Sequence, residues 1–347
     1  MRLCYFRLSA SHPTLPLSEL KAIFDVIGDG FVEAIYGPIA IVSCKNPSKT
    51  VEATVERGGL IKWGGLLVGI YSSEEELVEH VPSQISEVLQ LCSSTPCRIE
   101  AHRLQGLWRD ADTSGTARIL AGRLEGIGAK LSPRGTRILE VLYSEGVIVV
   151  GLRLKTVNTK AFEERKPSKR PFFKPGPLDV RLSRALVNLS RLREEAIFWD
   201  PFCGTGGIVL EACLLGASRC LCGDISPEMS RGSSRNLSHY GMAARSLPYV
   251  GDALRAPLAS GIVDSIATDP PYGRSTTLGG RGRRDIYRGF LVEASERLKR
   301  GSYIVFAAPA EEEPHLLAEE TGLIVVERHY MYVHGSLTRE IVVARRP

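Results

Sequence analysis

Two short acidic motifs and two single acids hold the residues of this sequence whose types and spacing could do chemistry. Thr268-Asp269-Pro270-Pro271-Tyr272-Gly273 sets a carboxylate, two stiff residues and a flat ring side by side. Two prolines force an extended segment, which can turn the Asp269 carboxylate and the Pro270 carbonyl toward one point beside Tyr272. An exocyclic amine has two N–H donors and needs two acceptors, and a flat base needs a flat stacking surface. A bare Pro-Pro-Tyr reads as a tight turn; an acid before it at a strand end favours ligand chemistry.

Asp200-Pro201-Phe202-Cys203-Gly204-Thr205-Gly206-Gly207 follows an apolar strand and opens an apolar helix. Glycines let such a turn approach a ligand closely, and the helix N-terminus offers free N–H groups. The third glycine of a dinucleotide fingerprint would fall on Val209, so that reading fails; with no Gly-Lys-Ser/Thr, a phosphate-binding ATPase loop is excluded. Asp224 ends the next strand, where it can accept from ribose hydroxyls, and Asp252 follows a third strand, within reach of an adenine amino group. Each acid alone reads as a solvated loop carboxylate. Together, behind a glycine loop, they point to a nucleotide-like cofactor.

The elements that must position these motifs alternate in the C-terminal half. Strands are expected at 196–200, 219–224, 262–268, 302–307 and 341–344. Helices are expected at 182–192, 206–215, from Ser226-Pro227 onward and at 285–299. That alternation predicts an α/β fold, a mostly parallel sheet with helices on its faces and ligands at the strand ends. The N-terminal half reads as α+β. Its strands fall at 2–8, 40–44, 66–71, 98–104 and 147–154, and its helices at 17–26, 74–81 and 117–130; periodicity does not distinguish one module from two. Four prolines between Pro167 and Pro177 mark a linker or an ordered crossing loop.

The chain has 347 residues, 44% hydrophobic and 24% charged, ordinary for a globular protein of about two domains. No apolar run approaches the ~20 residues that span a bilayer. The N-terminus lacks a signal peptide's apolar core, so a soluble, cytoplasmic protein is expected; a monomer is expected as well. The eight cysteines show no zinc-ligand spacing, so no metal is expected. Cys220 and Cys222 read as a buried pair, and Cys92 with Cys97 as a local disulfide if the source is a hyperthermophile. Against a net charge of +5, Arg153 to Arg184 holds ten basic residues and three acids, and Arg274 to Arg300 eight against three. Two such clusters, one beside a catalytic motif, suggest phosphate contacts.

With these residues in view, the chain resembles the class I S-adenosylmethionine-dependent methyltransferases that modify exocyclic amines of bases. Phe173-Lys174-Pro175-Gly176-Pro177-Leu178, the following helix and Asp269 through Thr277 are similar to archaeal tRNA (guanine-N2-)-methyltransferases acting at tRNA position 10. The resemblance implies a Rossmann-like catalytic domain with a mostly parallel seven-stranded sheet at 179–347. A ferredoxin-like region at 1–90, a THUMP-like RNA-binding domain at 91–157 and a basic linker at 158–178 would precede it. It implies that Asp200, Pro201, Phe202, Gly204, Thr205 and Gly206 cradle the methionine part of the cofactor. Asp224 with Ile225 would hold the ribose side, and Asp252 with Ala253 the adenine edge. Asp269, Pro270, Pro271 and Tyr272 would bind and orient guanine N2. Lys155, Lys160, Lys169, Arg170, Arg274 and Arg283 are candidates for tRNA contacts. An adenine-N6 DNA methyltransferase, a guanine-N2 enzyme for rRNA or another tRNA position, and a non-enzymatic THUMP-type RNA-binding protein remain alternatives. A fragment beginning near Thr159 is expected to fold, because its sheet would be complete.

Overall fold

The computed structural model describes residues 2–85, 90, 92, 94–106, 108–272, 282–335 and 337–347. The chain packs into two compact units. One comprises Met1–Ser11, Ile27–Glu56 and Ile61–Val157, the other His12–Val26, Arg57–Leu60 and Asn158–Pro347. The units cut across the boundaries expected from sequence. Helix α1 (Leu15–Ile27) follows strand β1 (Arg2–Leu8) in the chain, yet it packs with the second unit.

The first unit is built on one seven-stranded sheet. It contains β1, β2 (Phe31–Tyr36), β3 (Ile39–Cys44), β4 (Ile61–Tyr71), β5 (Cys97–Gln105), β6 (Arg137–Ser144) and β7 (Val147–Thr156), in the order β2-β3-β1-β4-β7-β6-β5. β4 pairs with β7, so the sheet runs without a break through the division expected at residues 90 and 91. α2 (Pro47–Arg57) follows β3; α3 (Glu74–Gln84) and α4 (Thr113–Gly126) bury Leu77, Val81, Leu120 and Leu124 against Leu139, Val141 and Val150 of the sheet. Cys92 and Cys97 form the local disulfide.

The second unit is the α/β layer structure expected. Its strands are β8 (Ile197–Asp200), β9 (Arg219–Asp224), β10 (Ser246–Val250), β11 (Val263–Thr268), β12 (Leu298–Pro309), β13 (Ile324–His334) and β14 (Leu337–Arg345). Their order is β10-β9-β8-β11-β12-β14-β13; the first five are parallel, and β14 runs antiparallel between β12 and β13. Successive strand residues point to opposite faces. Accordingly Ala267, Val305 and Ile341 join one apolar cluster, while their neighbours Ile266, Ile304 and Val342 join another. Helices α5 (Thr159–Glu164), α6 (Val180–Leu189), α7 (Gly207–Leu214), α8 (Pro227–His239), α9 (Arg283–Arg297) and α10 (Pro314–Glu320) complete the unit. Among the described residues, no helix is long and apolar enough to cross a membrane.

Of the two readings, linker or ordered crossing loop, the stretch is the second, an anchored crossing. Asn158 caps α5 by accepting from the Ala161 amide at 3.1 Å. Arg165 donates to Glu211 of α7 at 2.7 and 3.1 Å, and Arg184 of α6 donates to the same fully buried carboxylate at 2.6 Å. Phe172 exchanges backbone bonds with the Asn236 side chain, and its ring fills the space that a Cβ on Gly232 would occupy. Proline density excludes a regular helix only from residue 167 onward. It does not exclude packing.

Candidate active site

The strand order of the second unit reverses at β8, which lies between β9 and β11. Ligands of such sheets bind outside the strand ends at this point, and Asp200, Asp224 and Asp269 stand at the ends of the three adjacent strands β8, β9 and β11. Asp200 closes β8 and is 1% exposed. It accepts from Thr268 Oγ1 at 2.6 Å and from the Phe202 amide at 3.2 Å. Burial, with the charges of Asp269 and Asp224 adding to it, pushes its carboxyl up to about 7 despite those bonds. Gly206, at a φ of +82°, takes the left-handed turn that starts α7, where a side chain would be strained.

Asp224 closes β9 and ties the glycine turn to its strand. Its Oδ2 accepts from the Gly204 amide at 2.9 Å, its Oδ1 from the Ser226 amide at 2.8 Å. Burial raises its pKa. The Cys203–Cys222 disulfide makes a second tie between turn and strand, and Cys220 and Cys222 are both buried, as expected. The Gly251 amide bonds to the Asp224 carbonyl at 3.0 Å, which brings the Asp252 turn to the end of β9. Asp252 accepts from the Leu254 amide at 3.0 Å, Ala253 is buried, and Ile225 is 68% exposed.

One cleft gathers Asp200, Phe202, Gly204, Thr205 and Asp269 under the Lys174–Leu178 segment, with Ser183 of α6 in its wall. Pro201 is buried within the same turn. The Ser183 hydroxyl is buried with no hydrogen-bond partner among the described residues. A buried hydroxyl of this kind takes its partner from an ordered water or a ligand group. Facing a glycine turn and acids, it suits the polar methionine end of S-adenosylmethionine.

Asp269 follows β11 at the rim of this cleft. Burial lifts its carboxyl to about 6, while Arg339 and the Tyr272 hydroxyl pull it down. Tyr272 donates to Asp269 Oδ1. The loop is held from behind by Tyr287 of α9, which donates to the Pro271 carbonyl at 2.8 Å, and by Arg283, which reaches the Tyr272 carbonyl at 3.3 Å. The chemistry available is a carboxylate acceptor and an aromatic face on a braced loop beside the cleft under Lys174–Leu178. Arg339 of β14 belongs to no motif; it donates to the Tyr272 hydroxyl at 2.9 Å. Nothing in sequence distinguishes it from the other arginines.

The proposed tRNA contacts divide. Lys160 and Lys169 are exposed. Lys155 is engaged with Glu52 and Glu56, and Arg283 with Glu311 and Glu312 at 2.9 Å each. Arg170 is a correction. Only 5% exposed, it donates to the Arg165 carbonyl and to Thr205 Oγ1 and so props the glycine turn from behind. Arg274 lies outside the described residues.

Residues 167–341 match the family model described as RMKL-like, methyltransferase domain. The tRNA (guanine(10)-N2)-dimethyltransferase of Methanothermobacter thermautotrophicus is 32% identical, covering 98% of both chains; that of Methanocaldococcus jannaschii is 30% identical with the same coverage. The crystal structure of TrmN from Thermus thermophilus has the same fold, with a TM-score of 0.58, 18% identity, and 99% of this chain and 100% of that one covered. The crystal structure of SMU.472, complexed with SAH, has a TM-score of 0.57 at 12% identity and covers 100% of this chain and 99% of that one. The chain belongs to the family of the archaeal tRNA (guanine(10)-N2)-dimethyltransferases.

Proposed function

We propose that this protein transfers methyl groups from S-adenosylmethionine to the exocyclic N2 of guanine at position 10 of tRNA. The observation that carries this reading is Asp269: a largely buried carboxylate at the strand end, lining the cleft that also contains Asp200 and Ser183. The donor supplies an electrophilic methyl group on a sulfonium. Asp200, the turn from Pro201 to Gly206, and Ser183 would hold its amino-acid end, Asp224 and Ile225 its ribose side, Asp252 and Ala253 its adenine edge.

The nitrogen of guanine N2 is a poor nucleophile because its lone pair is delocalised into the ring. Asp269 and the Pro270 carbonyl each accept one N–H, which fixes the amine and turns its lone pair toward the methyl group. Tyr272 stacks on the base. The N–CH3 bond forms as the S–CH3 bond breaks, and the amine's surplus proton leaves to Asp269 or to water. Positioning supplies most of the rate. The target guanine must be unstacked first, at a cost of a few kcal/mol.

The first unit would grip the tRNA. The exposed Arg118, Arg123, Lys130 and Arg134, on and after α4, support this, as does the basic stretch that follows β7. The test is mass spectrometry of nucleosides from tRNA incubated with labelled donor. N2-methylated guanosine is expected with the native protein. Asp269→Ala should lose roughly two orders of magnitude in rate, the scale of one preorganised polar contact. Methylation of adenine N6 instead would sink the reading.

A further inference from the structure

The Asp269–Tyr272 loop is gripped by a residue far along the chain. Arg339 lies on β14, in register with Pro309 of β12 and Met331 of β13, and is 8% exposed. Its Nε donates to the Tyr272 hydroxyl at 2.9 Å, its guanidinium carbon stands 5.1 Å from the Tyr272 ring centroid, and its Nη2 lies 3.8 Å from Asp269 Oδ2. Tyr272 in turn donates to Asp269 Oδ1. Donors therefore run in one direction, from Arg339 to Tyr272 to Asp269.

Resting on the function proposed above, we propose that Arg339 is the positioning residue of the methyl-acceptor loop, fixing the Tyr272 ring and keeping the Asp269 carboxylate an acceptor. A buried carboxylate left alone takes up a proton, and the neutral acid would present an O–H donor to an amine that brings only donors. A guanidinium never gives up its charge, so it opposes that uptake at every working pH. Among the described residues, the other charged or titratable groups near Asp269 do not replace it. Asp200 of β8 is itself an acid. Tyr287 of α9 is neutral and bonded to Pro271. Arg283 is committed to the Tyr272 carbonyl, Glu311 and Glu312. Burial already lifts Asp269 to about 6 with Arg339 pulling it down, so removing the cation moves it further up.

The test uses the full chain, a tRNA transcript and S-adenosylmethionine. Single-turnover rates are measured from pH 5 to pH 9, and donor affinity by calorimetry. Arg339→Met should bind the donor within twofold of the native protein, lose at least tenfold in rate at pH 7, and recover as pH rises. Its acid limb should sit at least half a pH unit higher. Arg339→Lys keeps the charge without the fork, so its limb should return toward the native position while its rate stays low. Tyr272→Phe retains the ring, cuts the relay and should also raise the limb; with Arg339→Lys it carries the test if Arg339→Met fails to bind donor. Native rates with Arg339→Met, or a loss equal at every pH, would overturn the inference. If the native protein makes no N2-methylguanosine, the proposed function falls first and this inference with it.

Discussion

The Asn188 side chain donates to the Glu19 carboxylate over 2.7 Å, across 169 positions of sequence. The same carboxylate accepts from the amides of Gly59 and Leu60, also at 2.7 Å, and is fully buried. It binds α1 and residues 57–60 into the second unit beside α6. Glu19→Ala leaves the buried Gly59 and Leu60 amides without this acceptor and the Asn188 amide with only the Arg57 carbonyl, so a loss of roughly 3 kcal/mol is expected in urea unfolding. A loss under about 0.5 kcal/mol would contradict the assignment.

The same packing decides the fragment that begins near Thr159. Its sheet is complete, but Leu186, Leu189 and Leu192 share a core with Leu15, Ala22 and Leu60, which the fragment lacks. We expect it to aggregate or melt without cooperativity, where sheet topology alone suggested it would fold. Calorimetry and gel filtration check this; a monodisperse fragment with a sharp transition would refute it.

Cofactor affinity should respond to two residues with different strengths. Asp224→Ala removes the acceptor of two turn amides as well as the proposed acceptor of the ribose, and should weaken binding by about 1–3 kcal/mol. Ser183→Ala should weaken it by about 0.5–1.5 kcal/mol while leaving the unliganded melting temperature unchanged or higher, since an unpaired buried hydroxyl is removed. Titration with S-adenosylhomocysteine measures both. Native affinity in Ser183→Ala would exclude its hydroxyl from the site.

Acidity should stop the reaction through Asp269. Its carboxyl is raised to about 6, and the ionised form is the proposed acceptor, so single-turnover rates should plateau above that pH and fall about tenfold per unit below it. Stability runs the opposite way at Asp200. A folded-state value near 7, above that of the unfolded chain, means stability that is fully present below the ordinary carboxylate range and lost as pH rises through about 7. Asp200→Asn should flatten the change in melting temperature of the unliganded protein between pH 5 and pH 8. An unaltered slope would show that another group sets it.

Binding of tRNA should weaken steeply with salt. Removing the cation that neutralises one phosphate lowers the slope of log K against log salt by about 0.9 for duplex regions. Lys160→Ala and Lys169→Ala should each reduce that slope in filter binding. Arg170→Ala should leave it unchanged and lower stability instead, because that side chain faces Thr205 and Arg165. An unchanged slope in both lysine variants would remove the crossing segment from the RNA-binding surface.

The glycine turn and the acids behind it were legible because a parallel sheet collects its chemistry at strand ends, where each motif is contiguous. Arg339, Ser183 and Glu19 were not, since each acquires meaning only from strands or helices distant in sequence. β13 escaped for a related reason: its exposed face alternates Arg328, Tyr330 and Tyr332, without the apolar run of a central strand. α5 was hidden by the prolines that follow it, although Asn158 stands in the sequence as its cap. The placement of α1 illustrates the deepest limit. Chain order put it between β1 and a later strand of the first unit, while its buried face fits the other unit.

That placement has a consequence for how the protein is made. At about 5–20 residues per second, Asn188 is synthesised on the order of ten to thirty seconds after Glu19. Through that interval the nascent chain carries Leu15 and Ala22 without Leu186 and Leu189, the partners that finally enclose them. One of the earliest helices to leave the ribosome is thus among the last to reach its permanent neighbours. A ribosome-bound chain stalled before α6 would offer this helix to a trigger-type chaperone, and one released after α6 would not.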